Sequence, residues 1–185
     1  MRAQPPPAEN DPEANPAAVA RSIILRQLTN SPKSRHQLAQ KLAEKNVPED
    51  VAEAVLDRFE SVKLINDAEF AELWVRSRHQ NRSLARGALK RELADKGIDP
   101  MLAEEALAQV SDDDELESAG VLLRRKMRGS LNLSDRAERD KYTRRWVAML
   151  ARKGYNPSTA FRVVAETIDR HLLDEDGQGS TDFDD

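Results

Sequence analysis

A short phrase written three times limits what this chain can fold into: LAEKNVPE at 42–49, LADKGIDP at 93–100 and LARKGYNP at 150–157. Each has the form of a helix ending. A leucine is followed by Lys45, Lys96 or Lys153, then by Asn46, Gly97 or Gly154, residue types that tolerate left-handed backbone. An apolar residue, Val47, Ile98 or Tyr155, then plugs the turn. Aligned without gaps, the copies also put Leu38, Leu89 and Trp146 in register one turn earlier. A second apolar-periodic helix follows each ending, through Val51, Val55 and Phe59, through Leu102, Ala106 and Val110, and through Ala160, Val164 and Ile168. With one helix before each pair, the pattern predicts an all-α protein, an elongated array of three tandem three-helix repeats at 17–62, 63–110 and 111–173. The spacings of 51 and 57 residues differ, and a loop at 129–133 absorbs the difference. A helix of about 15 residues spans ~22 Å, so three repeats side by side would reach on the order of 70 Å.

Local signals place the helices. Apolar residues recur at intervals of three and four, and no sustained alternation argues for a strand. The predicted helices cover 17–29, 34–46, 48–61, 67–81, 83–96, 100–110, a seventh from 112 to a break at Gly129 and Ser130, an eighth opened by Ser134 or Asp135 and reaching Lys153, and a ninth over 157–172. Ser34 and Gln37 have capping-box spacing behind Pro32, and Pro48 suits a first helical turn. Asp112, Asp113, Asp114 and Glu115 bring negative charge to the positive end of a helix dipole. Five prolines keep residues 1–16 from helix, and 174–185 (DEDGQGSTDFDD) is acidic and nearly without apolar side chains, so both ends are expected to be disordered tails.

Several function classes drop out. No apolar run approaches the ~20 residues that span a bilayer, and the proline-rich, acidic start is unlike a signal or transit peptide, so the expectation is a cytoplasmic protein with no membrane partner. The chain has no cysteine, which removes disulfides, thiolate zinc sites and cysteine nucleophiles and fits a reducing compartment. His36, His79 and His171 lie on different predicted helices and read as surface residues, and there is no phosphate loop or nucleophile elbow. No catalytic residue, metal or cofactor is expected. The aspartate run lacks the ligand spacing of an EF-hand and reads as helix capping. Phe70, Trp74, Trp146 and Tyr155 keep helical spacing and read as core rather than as base-stacking platforms.

The net charge of -4 hides a segregation. Residues 118–153 carry eleven Lys and Arg against three acids; 99–117 carry eight acids and no base, and 154–185 carry two bases against eight acids. A basic surface between acidic ones still attracts a polyanion. The candidate binding residues are Arg76, Arg78, Arg86 and Lys90 around the fourth and fifth helices, Arg124, Arg125 and Lys126 on the seventh, and Arg144, Arg145, Arg152 and Lys153 on the eighth. For any single one of these, a solvated face is the plainer reading.

Three stretches carry a family resemblance: LINDAEFAELWVRSR at 64–78, ALKRELADKGID at 88–99 and ELESAGVLLRRK at 115–126. They resemble the RecX family, bacterial regulators of the RecA recombinase. Asp67, Phe70, Ala71, Arg76 and Arg78 match the family's fourth-helix signature, and Leu89, Glu92, Leu93, Lys96, Gly97 and Ile98 its fifth. Glu117, Ala119, Leu123 and Lys126 match its seventh, and Gly154 and Tyr155 its closing turn. The resemblance covers roughly 17–170. Asn66 and Asn46 depart from the usual Asp and capping glycine, and Arg82, Ser83 and Leu84 replace a glycine-rich approach to the fifth helix. The resemblance implies a non-enzymatic, monomeric regulator that binds the RecA filament, and with it single- or double-stranded DNA, and modulates RecA, with inhibition the expected direction, in recombination, DNA repair and the SOS response. The competing expectation is a helix-turn-helix-like DNA-binding module acting without RecA.

Overall fold

The computed structural model describes residues 15–127, 131 and 133–178. Among them are nine helices and no strand: α1 (Pro16–Asn30), α2 (Arg35–Glu44), α3 (Glu49–Ser61), α4 (Asp67–Arg82), α5 (Arg86–Asp95), α6 (Pro100–Leu107), α7 (Asp112–Lys126), α8 (Arg136–Arg152) and α9 (Pro157–Gln178). The chain divides into two compact units. Unit 1 is Met1–Trp74 with Glu92–Ala106, and unit 2 is Val75–Arg91 with Leu107–Asp185. The residues of the middle repeat are thus divided between them.

The phrase repeated in the sequence is a Schellman cap built three times. Val47, Ile98 and Tyr155 donate their N–H groups to the carbonyls of Leu42, Leu93 and Leu150 at 3.1, 3.1 and 3.2 Å, closing the six-to-one bond. Asn46, Gly97 and Gly154 donate to Ala43, Ala94 and Ala151 at 3.0, 2.9 and 3.0 Å, and have φ of 57°, 69° and 90°. Leu42, Leu93 and Leu150 are fully buried, each contributing ~1.5–3 kcal/mol of transfer free energy.

The caps also join one repeat to the one before it. In unit 1 the Ser34 hydroxyl donates to the Lys96 carbonyl at 2.6 Å; in unit 2, 51 residues after Ser34, the Ala85 N–H donates to the Lys153 carbonyl at 2.9 Å. A Cβ on Gly97 would lie 2.4 Å from the His36 Cβ, and one on Gly154 2.1 Å from the Ala88 nitrogen. Glycine is therefore required twice over at these positions, for its backbone angle and for its lack of a side chain. Asn46, in the first of the three repeats, has the left-handed angle and already carries a side chain, so there only the angle has to be met.

A second device recurs at the same interval. Arg35 and Arg86 are the first residues of α2 and α5. The Arg35 N–H donates to Asp67 Oδ1 at 2.8 Å, and its guanidinium reaches Glu60 at 2.6 Å, Asp57 at 2.8 Å and also Glu53. The Arg86 N–H donates to Glu115 Oε1 at 2.7 Å, its Nε to the same oxygen at 3.3 Å, and its far nitrogen to Asp112. Burial works against both guanidinium charges, yet the acids around them hold both pKa values above the ordinary arginine value. The third repeat has Thr143 here, bonded within its own helix to the Arg139 carbonyl at 2.8 Å.

The core of unit 1 is built from Val19, Ile23, Ile24, Leu38, Leu42, Val55, Leu56 and Phe59, where α1, α2 and α3 pack pairwise. That of unit 2 gathers Leu123, Leu133, Trp146, Leu150, Tyr155, Val164 and Ile168, where α7 and α8 each pack on α9.

The capping box at Ser34 forms as expected, with both reciprocal bonds to Gln37. Pro48 is the N-cap of α3, one position before the first turn. Helix α7 opens on a capping box from Ser111 to Asp114, so the cap is the serine and the acids fill the first turn. The fifth helix starts at Arg86 rather than at 83, because Ser83 has a left-handed φ of 49° that ends α4. Helix α9 runs on to Gln178, past the expected end at 172, so 174–178 is helical where a disordered tail was expected. The break at Gly129 and Ser130, and residues 1–14 and 179–185, lie outside the described residues.

Candidate polyanion-binding site

Helix α8 has two faces. Trp146 and Leu150 are buried, while Tyr142, Arg145, Trp146, Met149 and Arg152 recur at three- and four-residue steps along one side. With Lys126 from the last turn of α7 and Leu131 from the connection, they line a cleft of about 310 Å³. Its floor is apolar and aromatic. The Tyr142 and Trp146 rings lie 5.2 Å apart, and Trp146 is too buried to offer a face to a base. Among the described residues its charged lining is cationic: Lys126, Arg145 and Arg152, each exposed. Such a cleft can hold the phosphates of a polyanion on its guanidinium and ammonium groups while the apolar floor takes sugar or base edges.

The structure brings three of the eleven candidate residues into this cleft. Arg144 is exposed on α8 and Arg125 on α7. Arg124 lines a second, smaller cleft of about 180 Å³ with Met127, Thr167, Arg170, His171 and Asp174. Arg76 and Lys90 are exposed on α4 and α5, and Arg78 is half-buried.

Arg86 and Lys153 have structural jobs. Arg86 binds Glu115, which is 4% exposed, and so bolts α5 to α7. Lys153 donates from Nζ to the Arg82 carbonyl at 2.5 Å, and burial, then the charges of Arg82 and Lys126, press its pKa below the ordinary lysine value. The Tyr155 hydroxyl donates to the Ser83 carbonyl at 3.2 Å, and the His79 ring bonds the Leu84 carbonyl at 2.9 Å. Three consecutive carbonyls of the α4–α5 turn are thus held by side chains, which accounts for a serine in the left-handed position. His79 and His171 are half-buried, so the surface reading of the histidines fits only His36. Phe70, Trp146 and Tyr155 are core residues as expected, while half-buried Trp74 donates to Glu92 at 2.8 Å.

Tyr142, Met149 and Leu131 were not among the expected site residues. Tyr142 stands one turn before Trp146 in the most basic stretch of the chain, a signal that was present and unused. All eleven candidate residues fall in unit 2, which carries nineteen basic and sixteen acidic residues against ten and seventeen in unit 1.

Comparison with known proteins gives these repeats a lineage. Residues 20–59 match the first three-helix domain of RecX and residues 66–107 the second. The regulatory protein RecX of Streptomyces coelicolor is 45% identical over 175 residues, 95% of this chain and 91% of the relative. That of Thermobifida fusca is 40% identical over 159 residues, 86% of this chain and 84% of the relative. The crystal structure of RecX from Lactobacillus salivarius has the same helical fold, with a TM-score of 0.67 at 23% identity over 82% of this chain and 96% of that one. No helix among the described residues is long and apolar enough to cross a membrane. With both three-helix domains matched and nearly its whole length aligned at this identity, the chain belongs to the RecX family of non-enzymatic regulatory proteins.

Proposed function

We propose that this protein binds the RecA–DNA filament and inhibits the recombinase and ATPase activity of RecA in DNA repair and the SOS response. The observation that carries this reading is the unit 2 cleft, where Lys126, Arg145 and Arg152 surround an apolar floor of Tyr142, Trp146 and Met149. It supplies the contact to the polyanion inside the filament. Repetition supplies the rest. Linked, similar modules gain strength through effective concentration when their target presents repeated sites at a matching spacing, as a filament does.

The test is RecA's DNA-dependent ATP hydrolysis, titrated at fixed single-stranded DNA with wild type and with the Lys126→Glu, Arg145→Glu, Arg152→Glu variant. The expected result is inhibition by wild type at concentrations too low to coat the DNA, shifted by about ten-fold or more in the variant, a change of ~1.4 kcal/mol. Inhibition that needs DNA-saturating protein would favour a DNA-binding module acting without RecA. No effect at any ratio would defeat the reading.

A further inference from the structure

A fourth helix ending repeats the cap geometry with a different outcome. At the end of α3, Leu64 donates its N–H to the Phe59 carbonyl at 2.9 Å and Lys63 donates to Glu60 at 2.8 Å, with Lys63 at a φ of 58°. This is the Schellman arrangement again, and its closing apolar residue normally packs back on the helix. Ile98 and Tyr155 do so and are buried, and Val47 is half-buried. Leu64 is 54% exposed. Its neighbour Val62 is 47% exposed and Leu73, on α4, 43%. Leu64 and Leu73 line a cleft of about 310 Å³ with Leu28, Pro32 and Phe70, all within unit 1. The turn that displays Leu64 holds a lysine in left-handed backbone, at a cost of ~1–2 kcal/mol. Clustered apolar side chains of this kind mark a surface that another protein covers.

The charges at the mouth narrow the occupant. The lining carries Lys33 and Lys63 against Glu69, a local excess of one positive charge on a unit whose ten basic and seventeen acidic residues leave it at -7. At physiological salt the screening length is ~8 Å, so the lysines at the mouth, and not the distant excess of acids, decide what binds there. The volume is near the lower end of small-ligand sites, ~300 Å³, which suits one or two large side chains.

We propose that this cleft docks a segment of a partner protein that presents a large apolar side chain flanked by carboxylates. The inference rests on the filament reading, with RecA as the protein that carries the segment. Unit 1 then holds protein, and the basic cleft of unit 2 holds nucleic acid.

Two assays test it with full-length protein. The first follows fluorescence anisotropy of a labelled synthetic peptide in which phenylalanine and leucine stand between aspartates. The second is capture of RecA without DNA, with single-stranded DNA binding measured beside it. Leu64→Asp combined with Leu73→Asp changes only exposed side chains, so its circular dichroism should match that of wild type. The expected result is loss of peptide and RecA binding by about ten-fold or more, with DNA affinity held within about two-fold. Lys33→Glu with Lys63→Glu leaves three carboxylates in the lining and should weaken the peptide several-fold and reverse its salt dependence, so that added salt strengthens binding. A wild type that ignores the peptide overturns the inference, as does unchanged RecA capture by the leucine variant. Concentration-dependent self-association of wild type, abolished in that variant, would assign the cleft to a second copy and also overturn it. A wild type that binds the peptide but no RecA would sustain the cleft chemistry and sink the filament reading.

Discussion

Unit 1 and unit 2 use the same joint and present different surfaces. In unit 1 the start of α2 meets the Lys96 cap, and in unit 2 the start of α5 meets the Lys153 cap, with an arginine bolt beside each. Yet unit 1 carries the apolar cleft around Leu64 and unit 2 the cationic cleft around Arg145. The backbone device sits at turns that are anchored on buried leucines and that, at Gly97 and Gly154, abut the preceding repeat, where angle, space and hydrogen bonding allow few residue types. The surface is bound by none of these constraints, so copies that must fold alike are free to bind different things.

The largest expected effect breaks the joint itself. Gly154→Asn and Gly97→Asn keep a residue type that accepts the left-handed angle but add a Cβ, which would lie 2.1 Å from the Ala88 nitrogen and 2.4 Å from the His36 Cβ respectively. Each should cost about 3 kcal/mol or more in chemical denaturation. Asn46→Gly, at the cap that already accommodates a side chain, should change stability by less than about 1 kcal/mol. Equal losses at all three sites would show that the angle alone matters and that the close approach does not.

The bolts should differ by less. Arg86→Ala leaves the buried Glu115 carboxylate with only a backbone N–H and should cost ~2 kcal/mol, a value reduced from that of a fully buried pair because Arg86 is itself partly exposed. Arg35→Ala faces the more exposed Glu53, Asp57 and Glu60 and should cost ~1 kcal/mol or less. The reverse order would mean that burial of the carboxylate does not set the cost.

The smallest effect concerns the strained turns. Ser83→Gly and Lys63→Gly, at φ of 49° and 58°, should each raise stability by roughly 0.5–1 kcal/mol, read as a higher denaturant midpoint. At Lys63 the expected companion is weaker binding to the proposed protein partner, since a mouth lysine is lost; at Ser83 binding should not change.

Much of this fold was legible because helix caps leave strong marks. Asn46, Gly97 and Gly154, each followed by an apolar residue, reveal three Schellman turns from composition and position alone, and the 3.6-residue period gave the helices between them. The arginine bolts were less visible. Arg35 and Arg86 share a repeat position, but their acid partners stand 18 to 32 residues away, and nothing local in the sequence links them. Arg86 consequently looked like one more member of a basic patch. The fourth cap was hidden because lysine stands where glycine or asparagine would signal the turn. Tyr142 could have been found from its helical step to Trp146; the assembly of Lys126 with α8 could not, because it depends on how α7 and α8 pack on α9.

The division of labour between the units is tested most directly by the salt dependence of single-stranded DNA affinity. Wild type is compared with two charge reversals, Lys126→Glu, Arg145→Glu, Arg152→Glu in unit 2 and Lys33→Glu, Lys63→Glu in unit 1. Each lost phosphate contact lowers the slope of log affinity against log salt by ~0.7, so the unit 2 variant should lose ~2 from its slope and the unit 1 variant should match wild type. A comparable loss of slope in both variants, or none in the unit 2 variant, would contradict the account.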